Sequence, residues 1–355
     1  MQGKNQTFRD LFECVGTKLT PEIVNSSNAN GDLLMKALIF GGTRFMGRYV
    51  SREFLDAGYE VTIANRGTNQ PIDGVKAISL DRSVAGAVES LKGQKFDVVL
   101  DFSAYPSAWV KEAGEVLKGN IEKYIFISSG AVYKKSNKYP MQEHFEVAPH
   151  ELFFTYSDEK IKGENFLLDF SKKGYFETVS CRLPYVMGID NYEDRESFVL
   201  SRIINNRPVI VPNNGQAVQS FIYAGDVAKA LLALKNAGSV VNGHAFNVAM
   251  PEGVTNLGFV NICAEVVGKA ADVHYINPGI PELQRESFNL KDMLFPYPDY
   301  TGFLDSRKLQ SFTGFVPRYN LKDCIAEFYA DMVKKGNTQP RNYELENLAL
   351  AYLKI

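Results

Sequence analysis

From Met35 onward, short apolar runs alternate with amphipathic segments, and this alternation limits the chain to few architectures. Buried strands are expected at 37–40, 60–64, 76–80, 97–102, 123–128 and 177–183. Between them the apolar residues recur at helical spacing, as in Met46, Val50 and Phe54, a face closed by Gly58. Strand and helix in strict alternation mean parallel strands joined by crossover helices. The expected fold class is therefore α/β, a doubly wound parallel sheet of Rossmann type. After about residue 185 the pattern loosens into turn-rich stretches such as "RPVIVPNNG", "NPGIPELQ" and "FPYPDY". Those segments predict a smaller, irregular lobe over the carboxyl edge of the sheet, where ligands of such folds collect. The expected division is a dinucleotide-binding domain over 35–185 and a mainly substrate-binding lobe over 186–355, with about 220–250 returning to the sheet. Residues 1–34 read as an extension, a helix in "TFRDLFECVGTKL" followed by the polar linker "NSSNANGD".

Composition removes several classes of function. With 355 residues, 45% hydrophobic, the chain can bury a large core. A net charge of −2 gives no electrostatic case for a membrane or nucleic-acid partner. The short basic run "YKKSNKY" at 133–139 reads as a solvated loop. Cys14, Cys181, Cys263 and Cys324 lie far apart without metal-ligand or redox spacing, and His144, His150, His244 and His274 share none either, so no metal is expected. No apolar stretch reaches about 18 residues. The expectation is a cytoplasmic protein with a small-molecule substrate, and a homodimer is left open.

The turn between the first strand and the first helix, "LIFGGTRFMGRYV", spaces Gly41-x-x-Arg44-x-x-Gly47. Gly41 permits a sharp turn, and Gly47 lets the helix approach the strand. The helix amino terminus, over Thr43, Arg44, Phe45 and Met46, then offers unpaired N–H groups to a dinucleotide pyrophosphate. A plain strand-to-helix turn would look similar. The next strand ends in Asn65-Arg66, about where an acid normally accepts the ribose hydroxyls of NAD. An amide followed by a cation, with Arg44 nearby, favours the 2′-phosphate of NADP, leaving NAD as the second choice. The blander alternative is that both arginines face solvent. Asp81 is assigned to the adenine amino group, with a turn-forming role as the alternative.

Tyr156 and Lys160 stand four apart in "TYSDEKIKGENFLL", on one face of a helix. A neighbouring ammonium favours the phenolate, so Tyr156 is a candidate for trading a proton with a substrate hydroxyl. "KYIFISSGAVY" is a buried strand ending in Ser128 and Ser129. Together these residues resemble the short-chain dehydrogenase/reductase superfamily in its extended form, the NAD-dependent epimerase/dehydratase group. The resemblance puts the catalytic serine on Ser129 and the Tyr-x-x-x-Lys pair on Tyr156 and Lys160, with Lys160 also holding the nicotinamide ribose. It makes "CRLPYVMG" the strand flanking the nicotinamide, with Pro184 and Val186 as contacts, and Ser103 and Ala104 as contacts after the fourth strand. "SFIYAGDVAKALL", "AFNVA" and "FLDSRKLQSFTGFVP" match later landmarks in order.

The departures from the pattern matter too. "GGTRFMG" resembles an atypical branch that includes chloroplast stem-loop RNA-binding proteins. Gly130-Ala131 stand where dehydratases carry Asp-Glu, and Tyr185 stands near an epimerase-type asparagine. The expected function is an NAD(P)-dependent epimerase or oxidoreductase acting on a secondary alcohol or ketone, with a sugar nucleotide as inherited substrate class. The alternative is a cofactor-binding RNA-binding or scaffold protein without turnover. One deep cleft is expected at the edge reached by the strands ending at Ser103, Ser129 and Pro184, its floor holding the nicotinamide, Ser129 and Tyr156 and its roof made by 185–195 and 207–215. Arg195 or Arg202 in that roof would suit a phosphorylated substrate.

Overall fold

A computed structural model describes residues 34–70, 72–283 and 292–355. The amino-terminal helix, its linker and Cys14 lie outside the described residues. Met35–Ile355 forms one compact unit. Its first half runs β1 (Lys36–Phe40), α1 (Met46–Asp56), β2 (Glu60–Asn65), β3 (Lys76–Ser79), β4 (Phe96–Asp101), α2 (Ala108–Leu117), β5 (Ile121–Ser129), α3 (Phe154–Lys172) and β6 (Glu177–Leu183). The second half runs β7 (Tyr185–Met187), α4 (Glu196–Ile204), β8 (Val209–Pro212), β9 (Val218–Tyr223), α5 (Ala224–Asn236), β10 (His244–Asn247), β11 (Gly253–Thr255), α6 (Asn256–Val267), β12 (Val273–Ile276), α7 (Arg307–Thr313), α8 (Leu321–Lys334) and α9 (Glu344–Leu353).

Seven strands form one parallel sheet in the order β10-β6-β5-β4-β1-β2-β3. Both faces of the central strands β1, β4 and β5 are covered, which is why they are largely apolar rather than alternating, whereas the edge strand β3 is mostly exposed. Ala37 and Ile39 of β1 enter one core, which extends through α1, α5 and α8. Leu38 and Phe40, one residue out of phase, enter the other, with α2 and α3. The chain leaves β1 toward β2 and β3, then returns to place β4 on the opposite side of β1. Strand order therefore reverses between β1 and β4, and a crevice opens beyond their carboxyl ends.

The looser second half is better ordered than its turn-rich composition predicts. The segment at 207–215 was expected as roof, but Val209, Ile210 and Val211 are fully buried in β8, which pairs with β12. The return at 220–250 is made by α5, packed on α1, and by β10; β9 belongs instead to a small sheet with β7 and β11. One apolar core runs from Ala37 to Tyr343, spanning the expected boundary at 185. Arg202 is also displaced from expectation. It is buried completely and donates to both Glu346 carboxylate oxygens, so α4 and α9 are joined by an ion pair inside the core. Cys181, Cys263 and Cys324 are buried free thiols. No helix among the described residues is long and apolar enough to cross a membrane.

Candidate active site

The turn after β1 needs its glycines. Gly41 and Gly42 have φ of 93° and 82°, in the left-handed region that side chains resist. A Cβ on Gly47 would lie 2.3 Å from the Gly42 Cα, so α1 touches the turn backbone. Position 44 makes no such demand: Arg44 is exposed, with its guanidinium 4.3 Å from the Tyr192 ring centroid. No side chain caps the amino terminus of α1. Gly47 N and Arg48 N of its first turn donate to Arg44 O and Phe45 O at 3.0 and 2.9 Å, which leaves the N–H groups of Phe45 and Met46 for an anionic pyrophosphate. On this geometry the residues fit a dinucleotide.

Asn65 turns out to be a strut. Its Nδ2 donates to Gly41 O at 3.3 Å and Thr43 Oγ1 at 3.1 Å, while its Oδ1 accepts from Gly67 N at 2.7 Å. Arg66 is exposed. Asp81 accepts from the Ser83 backbone and hydroxyl at 2.9 and 2.7 Å. Those bonds, both to Oδ1, hold its carboxyl below the usual range and give it the turn-forming role.

Beside this turn lies a cluster that sequence reasoning missed. The Asp101 carboxylate accepts from Arg82 at 2.8 and 2.9 Å, from Ser103 N at 3.0 Å and from the Tyr124 phenol. Arg82 lies over Phe40, donates to the Trp109 carbonyl and reaches Ser103 Oγ at 3.3 Å. Ser107 N donates to Glu159 on α3 at 2.6 Å. The loop holding Ser103 and the buried Ala104 is thereby fastened to β3 at one end and α3 at the other. Trp109 packs under Arg82 and does not line the cleft. The signal was present as "LDRS" and "LDFS", charges placed at strand ends.

Tyr156 and Lys160 are carried by α3, which lies close on β5 because position 163 is glycine: a Cβ there would be 2.9 Å from the Phe126 ring. Lys160 is buried, 4.7 Å above that ring, and its Nζ donates to Ile127 O at 2.8 Å. Burial lowers its pKa to about 8, against the opposing pull of Asp101 and Glu164. Ser129 and Tyr156 line the same cleft. Ser128 is committed elsewhere, donating to Glu164 at 2.5 Å. Tyr156 is 40% exposed as a residue, yet desolvation of its phenol end pushes the pKa upward, opposed by the Ser129 hydroxyl and the Arg195 charge. Lys160 Nζ lies 5.7 Å from the Tyr156 ring centroid while donating to a backbone carbonyl, and the Arg195 charge also favours the phenolate.

These residues share a cleft of about 660 Å³, lined by Phe45, Met46, Ser103, Ser129, Tyr156, Lys160, Pro184 and Val186. Its roof includes Asn191, Tyr192, Glu193 and Arg195, as expected of 185–195. The expected second roof segment, 207–215, contributes nothing to it. Gln219 and the stretch from Tyr300 to Gly302 line it instead, together with His150 and Lys134, Lys135 and Ser136. The basic run read as a solvated loop is thus part of the cleft wall. Arg195 pairs with Glu193 and lies 4.7 Å over the Tyr185 ring, while its buried Nε has no hydrogen-bond partner. A wider groove of about 780 Å³ around His144, His244 and Lys308 holds none of the expected site residues.

Residues 37–249 match the model of the NAD dependent epimerase/dehydratase family. The chain belongs to that family. Among curated relatives it is 28% identical over 311 residues to the chloroplast stem-loop binding protein of 41 kDa b of Arabidopsis thaliana, covering 83% of this chain and 78% of that one. It is 24% identical over 318 residues to a putative UDP-glucose 4-epimerase of Methanocaldococcus jannaschii, covering 81% and 95%. Among solved structures, UDP-glucuronic acid 4-epimerase from Bacillus cereus, in complex with UDP-glucuronic acid and NAD, superposes with a TM-score of 0.69. That match is 18% identical and covers 85% of this chain and 99% of that one.

Proposed function

We propose that this member of the family uses a nicotinamide cofactor to oxidise a secondary alcohol of a sugar nucleotide, transiently, as an epimerase. The observation that carries the reading is the convergence of Ser129, Tyr156 and Lys160 on one cleft at the sheet's carboxyl edge, with Lys160 Nζ 5.7 Å from the Tyr156 ring centroid. Tyr156 takes the proton of the substrate hydroxyl at its phenolic oxygen and gives it back. Ser129 holds the reacting oxygen in line with that phenol, and the Lys160 ammonium is placed for the nicotinamide ribose. A bound nicotinamide would supply the hydride acceptor and donor. Gly130 and Ala131 offer no acid or base beside Ser129, which favours epimerisation over dehydration. The lobe built from residues 186–355 supplies most substrate contacts in this reading. The family's description and the relatives' printed names support the sugar-nucleotide class.

For the cofactor, the same names support NAD, whereas the residues had pointed to NADP. Arg44 lies against Tyr192, so Arg66 alone remains for a 2′-phosphate. No carboxylate ends β2 to repel one. We therefore propose NAD as the resident cofactor, with NADP admitted. Arg66→Ala is expected to weaken NADPH binding several-fold while leaving NADH binding within twofold, read by fluorescence titration. Equal losses for both would remove Arg66 from the adenosine end.

Mass spectrometry of the purified, denatured protein tests the main reading: retained NAD(H) fits an epimerase, and an empty site that exchanges NADPH fits a reductase. The resemblance to a stem-loop binding protein, with Lys134 and Lys135 at the cleft wall, favours a second reading, RNA binding. A steep fall of RNA affinity with salt would support it.

A further inference from the structure

The arginine at position 44 has a partner on the far side of the cleft. Tyr192 sits at the tip of the roof segment and is 57% exposed, yet its ring meets two consecutive residues of the cofactor turn. The Arg44 guanidinium lies 4.3 Å from its centroid, and the Phe45 ring meets it edge-on at 6.4 Å. Phe45 holds a φ of 41°, which directs the residue following Arg44 toward the same ring. The shoulders of the segment are fastened separately. Asn191 donates to the buried Glu196 at 3.0 Å, and Asp190 pairs with Lys335 at 3.1 Å. Just beyond those two adjacent anchors, Tyr192 reaches from the β7 side to the turn after β1, at the cleft it lines.

We infer that Arg44 and Phe45 latch Tyr192 over the dinucleotide, so that Arg44 governs how fast cofactor enters and leaves rather than which cofactor is chosen. The inference rests on the nicotinamide reading above. A cation over an exposed aromatic face and one edge-on ring pair are individually weak contacts. The latch therefore opens readily, and its loss shows in rates. Removing either partner leaves the bound dinucleotide's own contacts in place, so entry and exit accelerate together. A direct bond from Arg44 to a phosphate would behave differently: its loss would speed release alone and raise Kd.

The test is stopped-flow fluorescence of NADH binding and release, on the full chain and on Arg44→Ala, Tyr192→Ala, Tyr192→Phe and the double alanine variant. Association and release should both rise about fivefold in each single alanine variant, with Kd changed less than threefold. The double variant should go no further, and Tyr192→Phe, which keeps the ring, should stay near the parent. Faster release confined to Arg44→Ala, with a raised Kd, would overturn the latch in favour of a phosphate contact. Unchanged rates in all variants would overturn it and leave the cofactor reading standing. If the unmodified protein bound no NADH, the cofactor reading would fall and the latch with it.

Discussion

At the scale of single residues, the site depends on what surrounds Tyr156 more than on the tyrosine itself. Its phenol is displaced upward by burial, and Ser129 and Arg195 work against that displacement. Tyr156→Phe keeps the ring and removes the transferable proton. Turnover should fall at least a thousandfold with NADH affinity within twofold of the parent, measured by steady-state kinetics and titration. Substantial remaining activity would move the acid/base role elsewhere. The motifs that name Ser129, Tyr156 and Lys160 are local in sequence, which is why they were legible. Arg195 and Arg202 were not separable by the same means. They stand seven apart at either end of a short helix, and only the packing decides that one faces the cleft while the other meets Glu346, far along the chain. Asp81 is ambiguous for the opposite reason: an aspartate after a strand satisfies its own turn as readily as a ligand.

Among the elements, the roof segment depends most on a single buried group. Glu196 opens α4, is completely buried, and accepts from Asn191 and from Gly188 N at 3.3 Å. Burial raises its pKa to about 7 from an ordinary 4.5. A folded-state pKa above the unfolded one means that the folded protein holds the extra proton. Stability from the protonated form is then complete below pH 4.5, declines as pH rises, and is gone above about 7. Glu196→Gln cannot ionise, so it should gain about 1–3 kcal/mol over the parent at pH 8 and less at pH 5. Urea unfolding at the two pH values measures this, and an equal effect at both would contradict the assignment. The central sheet strands were legible because a strand covered on both faces is largely apolar. β8 was not, since "VIVP" is short, lies between turn formers and has its partner strand about sixty residues later.

At the scale of the whole molecule, one apolar core among the described residues spans both sides of the expected boundary at 185. The Arg202–Glu346 pair is its most demanding polar contact. Both side chains are essentially without solvent, so removing the carboxylate leaves a buried cation unpaired. Glu346→Ala should cost about 3–5 kcal/mol, while replacing both residues by apolar ones of similar volume should cost much less. Denaturant midpoints of the single and double variants measure the difference. A single variant as stable as the double would mean that the pair is hydrated.

The same pair bears on the order in which the protein becomes competent during synthesis. Arg202 lies on α4, whose first turn carries Glu196 and so holds the roof, but its counter-charge comes from α9. A nascent chain that has emerged only as far as residue 335 already contains the glycine turn, Ser129, Tyr156 and Lys160. It must still leave a guanidinium without its acid in the layer beneath the roof. Ribosome-stalled chains of that length should be degraded by added protease between residues 188 and 205, and chains extended past Glu346 should resist. The side chains proposed for catalysis are thus translated early, and the cover over them is completed late.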